Sequence, residues 1–215
     1  MSSFDNQFEG RSSNRLVTNG LLENRGDDPY YCNIYSRKEA FEPGTDDVAA
    51  LEVAAMNAPE GLIFPEQRAY FCTLAWCERG SCTVMGKGCL FEIKAGEVGV
   101  IDTGVHFSIS AGPEGAEGYY LLMDGSRCDQ LLVQAKLWPG AFRFREVPVE
   151  WLNMIAHSLT QKDRQAMASH IGYQVFLQTG EQVREAFPHP LLYDACQYMQ
   201  VHWADEQLNV EAILK

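Results

Sequence analysis

Between Tyr30 and Met123 the apolar positions fall in short runs, several of them alternating with polar ones, and Gly, Pro and Asp separate one run from the next. The runs are Tyr30–Tyr35, Tyr70–Cys77, Cys82–Met85, Cys89–Ile93, Val98–Ile101, Phe107–Ile109 and Tyr119–Met123. In one of them Cys89, Phe91 and Ile93 alternate with Leu90 and Glu92, which commits one face to a core. Gly86-Lys87-Gly88 supplies residues able to take positive φ and predicts a tight hairpin. Ala95-Gly96-Glu97 and Asp102-Thr103-Gly104 punctuate the next runs, and a glycine-rich loop is expected before Tyr119. Seven or more short strands with this spacing predict a sandwich or a barrel.

Past Pro148 the period changes from two to three or four. Pro148 suits a first helical turn, and Trp151, Leu152, Ile155 and Leu159 then form one apolar stripe. A longer helix follows, in which Ala168, Gly172, Phe176, Thr179, Val183 and Phe187 make a seam flanked by Ile171 and Val175. Pro188-His189-Pro190 breaks the chain. Leu191, Leu192, Ala195, Met199 and Trp203 form another stripe that ends at Asp205-Glu206-Gln207, and Asn209 then stands as an N-cap before a last helix. About one and a half turns remain after it, too few for a stable helix, so the natural sequence is expected to continue past Lys215. Residues 1–28 are polar and without period, and are expected to form a flexible arm.

Charge and cysteine usage narrow the setting. The 215 residues carry a formal charge of -12, which argues against this chain by itself holding nucleic acid through phosphate neutralisation. Its seven cysteines are odd in number and scattered, and the first residues lack the apolar stretch of a secretory signal. They are read as reduced thiols of a cytoplasmic protein. No apolar run approaches the roughly 20 residues that cross a bilayer.

Two segments resemble the N-terminal effector-binding and dimerisation half of AraC-family transcription regulators. One is the cupin-like stretch from Tyr70 to Met123, with Gly80 closing a strand, the Ala95-Gly96-Glu97 turn before Val98-Gly99-Val100-Ile101, and the glycine shortly before a histidine in Asp102-Thr103-Gly104-Val105-His106. The other runs from Pro190 to Lys215, where Ala195 to Trp203 and then Leu208-Asn209-Val210-Glu211-Ala212-Ile213 look like the opening of that family's DNA-binding domain. The resemblance implies a mainly β fold with C-terminal helices: a cupin-like, double-stranded β-helix barrel over residues 29–147, a dimerisation helix pair over 148–187, and a linker with the truncated start of a helix-turn-helix domain over 188–215. It also implies a small-molecule effector, homodimers, and DNA contact only through the module past Lys215. Residues 1–28 would match the arm that some members fold over the effector.

A cupin metal site needs several histidines with a carboxylate, and of five histidines only His106 lies among the strands, so no metal and no cofactor is expected. Cys72, Cys82 and Cys89 sit in apolar runs, where buried cysteine packs as a small hydrophobe more often than it acts as a nucleophile. A sensing pocket asks for aromatic faces and a few polar groups. Tyr70, Trp76, Arg79, Glu92, His106 and Tyr120 are the candidates, Arg79 and His106 for hydrogen bonding and Trp76 and Tyr120 for stacking, with a sugar or a carboxylate as effector. Gly172, Phe176, Thr179 and Val183 are the candidates for a subunit interface. The chain is therefore expected to be a sensor and not an enzyme. The rival is a free-standing cupin enzyme, an isomerase or a metal-dependent one.

Overall fold

The computed structural model describes residues 31–37, 48–68, 72–86, 89–102, 106–187 and 189–202. The expected arm (1–28), Tyr70 and the helix start after Asn209 lie outside the described residues. Among the described residues eight antiparallel strands form one sheet: β1 (Tyr31–Ser36), β2 (Ala49–Ala58), β3 (Ile63–Arg68), β4 (Cys72–Gly86), β5 (Cys89–Lys94), β6 (Glu97–Ile101), β7 (His106–Asp124) and β8 (Gly140–Arg143). The main path is β1-β2-β7-β4-β6-β8, with β3 beside β7 and β5 beside β4. Helix α1 (Cys128–Ala135) precedes β8, and α2 (Val149–Leu159), α3 (Gln165–Ala186) and α4 (Pro190–His202) follow it. No helix among the described residues is long and apolar enough to cross a membrane.

Gly86 pairs with Cys89, so the hairpin expected at Gly86-Lys87-Gly88 is present in the register. The glycine-rich loop expected before Tyr119 is not a loop. Residues 106–124 form one strand, and so do 72–86, each long enough to serve both halves of the curved sheet. The pairing of β4 with β7 shifts register at Cys77/Arg79 and at Gly80/Cys82. The glycines mark this bend, where backbones come too close for a side chain. Gly80 and Gly115 take positive φ of 70° and 75°. A Cβ on Gly115 would lie 2.6 Å from the carbonyl oxygen of Ala58.

The two faces of the sheet bury different sets. On the outer face Ala50, Val53, Cys72, Leu74, Trp76, Val98, Val100, Tyr119, Leu121 and Met123 share one core with the helices. On the inner face Cys77, Val84, Ile93, Ile101 and Phe107 form a second cluster. Leu152, Ile155 and Leu159 are fully buried under α2, as their spacing predicts. Each contributes about 1.5–3 kcal/mol by leaving water.

The seam on α3 closes within the chain, which corrects its assignment to a subunit interface. Phe176 is fully buried, and Gly172, Thr179 and Val183 are buried with it. At Gly172 the helix lies directly on the sheet, since a Cβ there would stand 2.5 Å from Met123 Sδ. At Gly180 a Cβ would fall inside the contact radius of the Ala135 carbonyl, so α1 and α3 touch there backbone to backbone. These residues have no surface left to offer a second copy.

The stripe read on the helix after Pro188 is also reversed. Leu191 and Leu192 are 72% and 52% exposed, whereas Tyr193 is fully buried. Tyr193 packs on Trp138 and Phe187, and its hydroxyl donates to the Lys136 carbonyl. The start of α4 thus shares the core of the sheet and helices.

Candidate functional site

The inner face of the sheet combines a polar end with an apolar floor, and a β-bulge creates the polar end. Ala50 pairs with Met123 on the outer face, but Glu52 pairs with Leu122 on the inner one, because Leu51 is an extra residue on β2. Its carbonyl accepts the Arg37 N–H at 2.7 Å. In a regular strand, with Leu51 paired, the period of two would place Glu52 on the same face as Ala50.

Two hydroxyls hold the re-aimed carboxylate. Ser36 Oγ, directly across on β1, donates to Oε2 at 2.7 Å. Tyr120 OH, on β7, donates to Oε1 at 2.5 Å. Successive rows cross the inner face: Glu52, Leu122, Thr73 and Ile101 in one, and Ala54, Tyr120, Ala75 and Gly99 in the next. Small residues on both sides leave the Tyr120 ring uncrowded along its row. Thr73 is 4% exposed, and its Oγ1 has no hydrogen-bond partner among the described residues. A buried hydroxyl of this kind costs about 1–3 kcal/mol unless something satisfies it.

This arrangement can accept and donate hydrogen bonds at one end and cover apolar carbon at the other, which is the chemistry of a small-molecule site. It does not hold an activated nucleophile among the described residues. Burial pushes the Cys77 thiol up to about 11 and the Cys82 thiol up to about 12. The Cys72 thiol is raised too, first by its hydrogen bond with Cys128 and then by burial. A reactive cysteine needs the opposite shift. Among the described residues no group of three or more His, Cys, Asp or Glu is placed to hold a metal ion.

Of the six residues expected to line a sensing pocket, Tyr120 is the one the described structure puts on the inner polar end. Trp76 lies on the outer face, 2% exposed, in the core under the helices. Arg79 follows the bulge at Cys77, points out, and pairs through Nε with the buried Glu117 at 3.1 Å, a structural contact. Glu92 is on the exposed side of β5, with its carboxylate 3.3 Å from Lys94 Nζ. His106 opens β7 opposite Arg68 of β3; its side chain and Tyr70 lie outside the described residues. Ser36, Glu52 and Thr73 escaped the sequence reading. The signal available was a single acid, Glu52, within the otherwise apolar Val48–Met56.

No family model matches the chain, and no curated protein matches it. Similar solved structures include Bacillus subtilis oxalate decarboxylase at pH 4.6, at 24% identity over 47% of this chain and 27% of that one, with a TM-score of 0.35. The chain therefore spans under a third of that enzyme's length. A conserved Streptococcus pyogenes protein, SPY1581, is similar at 9% identity over 46% of this chain and 77% of that one, with a TM-score of 0.36.

Proposed function

We propose that this chain is the effector-sensing part of an AraC-like transcription regulator, with a cupin-like barrel that takes a small hydroxylated molecule on its inner face. The observation that carries the reading is the Ser36–Glu52–Tyr120 group beside the unpartnered Thr73 hydroxyl, placed above an apolar floor. A carboxylate flanked by hydroxyls accepts and relays hydrogen bonds from a polyol or sugar, and the Tyr120 ring offers a flat apolar face to its carbons.

The same strands connect this site to the helices. β2 and β7 carry Glu52 and Tyr120 inward and Ala50 and Met123 outward, and Gly172 of α3 rests on Ala50 and Met123. A ligand that shifts β2 against β7 therefore shifts the surface on which α3 sits, and biases the helices between two placements. Two copies would pair through outward helix positions such as Met154 and Met167, which are exposed. A helix-turn-helix module in sequence past Lys215 would then bind promoter half-sites set by that pairing. In this reading the protein is cytoplasmic and not an enzyme.

The test uses the product of the complete reading frame and the DNA upstream of its own gene, in a mobility-shift titration with a panel of sugars and polyols. A ligand that changes DNA affinity for the native protein, and does nothing for Glu52→Gln, is the expected result. A product that binds no DNA and turns over a panel compound would replace this reading with a free-standing cupin enzyme.

A further inference from the structure

We propose that Cys72 and Cys128 are a redox-modification site, a thiol pair that a small-molecule disulfide such as oxidised glutathione converts into a cross-link between β4 and α1. The site lies on the outer, helix-covered face of the sheet and does not rest on the regulatory reading.

The fold brings together two cysteines that are far apart in sequence. Cys72 is the first residue of β4 and stands opposite Met123 in the register. Cys128 is the first residue of α1 and opens its buried stripe, with Leu131, Leu132 and Ala135. Both thiols are free, both lie in the core shared by sheet and helices, and their side chains are hydrogen-bonded to each other. In an intracellular setting such a pair is more often a redox-sensing device than a permanent bridge.

Closed, the pair is inert, because both residues are fully buried and a reactive cysteine needs an exposed thiolate. The end of α1 supplies the opening. This helix has eight residues, and Arg127 at its start makes no side-chain capping hydrogen bond. The Cys128 N–H bond to the Gly125 carbonyl is 3.3 Å long. An uncapped first turn frays at little cost, and fraying here carries Cys128 out of the core. Outside it, the Cys128 thiolate attacks one sulfur of the small disulfide, forms a mixed disulfide and releases one thiolate, which takes up the proton that Cys128 lost. The Cys72 sulfur then displaces the second thiolate, which takes the Cys72 proton, and the Cys72–Cys128 bond closes. Two protein thiols are oxidised, and one disulfide is reduced to two thiols.

The cross-link pins a helix on which two others rest. At its far end Ala135 meets Gly180 of α3 backbone to backbone. The Lys136 carbonyl accepts the Tyr193 hydroxyl of α4, and the Val133 carbonyl accepts from Gln197 Nε2 at 3.4 Å. Oxidation therefore fixes the mount of α3 and α4 to the sheet.

The test is incubation of the whole chain with oxidised glutathione, followed by peptide mapping without reduction. A linked Cys72–Cys128 peptide pair that dithiothreitol releases is expected, together with amide exchange along α1 slowed about tenfold or more. In Cys72→Ser the glutathione should stay on Cys128, since the thiol that would displace it is gone; circular dichroism checks that this variant is folded, and the native map stands without it. A native chain in which Cys72 and Cys128 stay reduced once Cys196, which is half-buried on α4, carries glutathione would overturn the proposal. So would a Cys128 adduct that never closes onto Cys72, or a link that leaves exchange along α1 unchanged.

Discussion

Replacing Phe176 by Ala separates a core residue from an interface residue. Phe176 is fully buried within a single chain, between the helices and the outer face of the sheet. Removing a buried Phe side chain costs about 3–5 kcal/mol, the loss of apolar transfer plus the cavity left behind. For a chain of this size each kcal/mol lowers the melting temperature by roughly 2–4 °C, so the drop should be about 6–20 °C. Circular dichroism melts of native and Phe176→Ala protein over a wide concentration range provide the assay. An intramolecular contact gives a drop that is the same at every concentration, whereas an interfacial one makes the melt depend on concentration by mass action. A melting temperature unchanged by Phe176→Ala, together with dissociation of a native dimer, would refute the reasoning and restore the seam as a subunit contact.

Other outcomes follow from the same geometry. Gly180→Ala should lower stability by several kcal/mol on the order of a severe core defect, because the new Cβ meets the Ala135 backbone and not a flexible side chain; a chemical melt reads it. Arg79→Met should destabilise the fold, since it deprives the buried Glu117 carboxylate of its ion pair, and should leave ligand binding on the inner face unaltered. Iodoacetamide should modify Cys77 and Cys82 slowly at neutral pH and faster as pH climbs toward about 11 and about 12, which peptide mapping can follow. Asp124 is raised above the ordinary carboxylate value by burial, so its contribution favours the fold at low pH and is lost as pH rises through its folded value. Asp124→Asn should remove that slope from the acid limb of a pH–stability profile.

Local pattern carried the helices past Pro148 and the runs that became β1, β4, β5, β6 and β7, and it missed β2, β3, β8 and α1, where tertiary contact decides. Leu152, Ile155 and Leu159 read as buried because one helical face can only pack one way. By contrast, β2 reads Ala-Ala-Leu-Glu-Val-Ala-Ala-Met-Asn-Ala, in which helix-favouring alanine masks a strand held by its neighbours β1 and β7. The glycines from Gly112 to Gly118 look like a loop in isolation. In the fold they are the cost of bringing β7 against Ala58 and Trp76.

Site residues were harder for the same reason. Cys72–Cys77 is apolar at nearly every position, so alternation could not tell that Trp76 faces the helices while Ala75 and Cys77 face inward. Glu52 reaches the inner face only through the bulge at Leu51, which no local period announces. Seam residues on α3 were recognisable as buried, but which surface buries them depends on Met123 and Ala50, strands away in sequence.

The most direct test of the account is a ligand titration of the native chain and of Glu52→Gln against sugars and polyols, read by ligand-observed NMR. Saturable binding to the native chain that Glu52→Gln abolishes, with the variant still folded, is the predicted result. Binding that is equally strong in Glu52→Gln would contradict the placement of the effector beside Ser36, Glu52 and Tyr120.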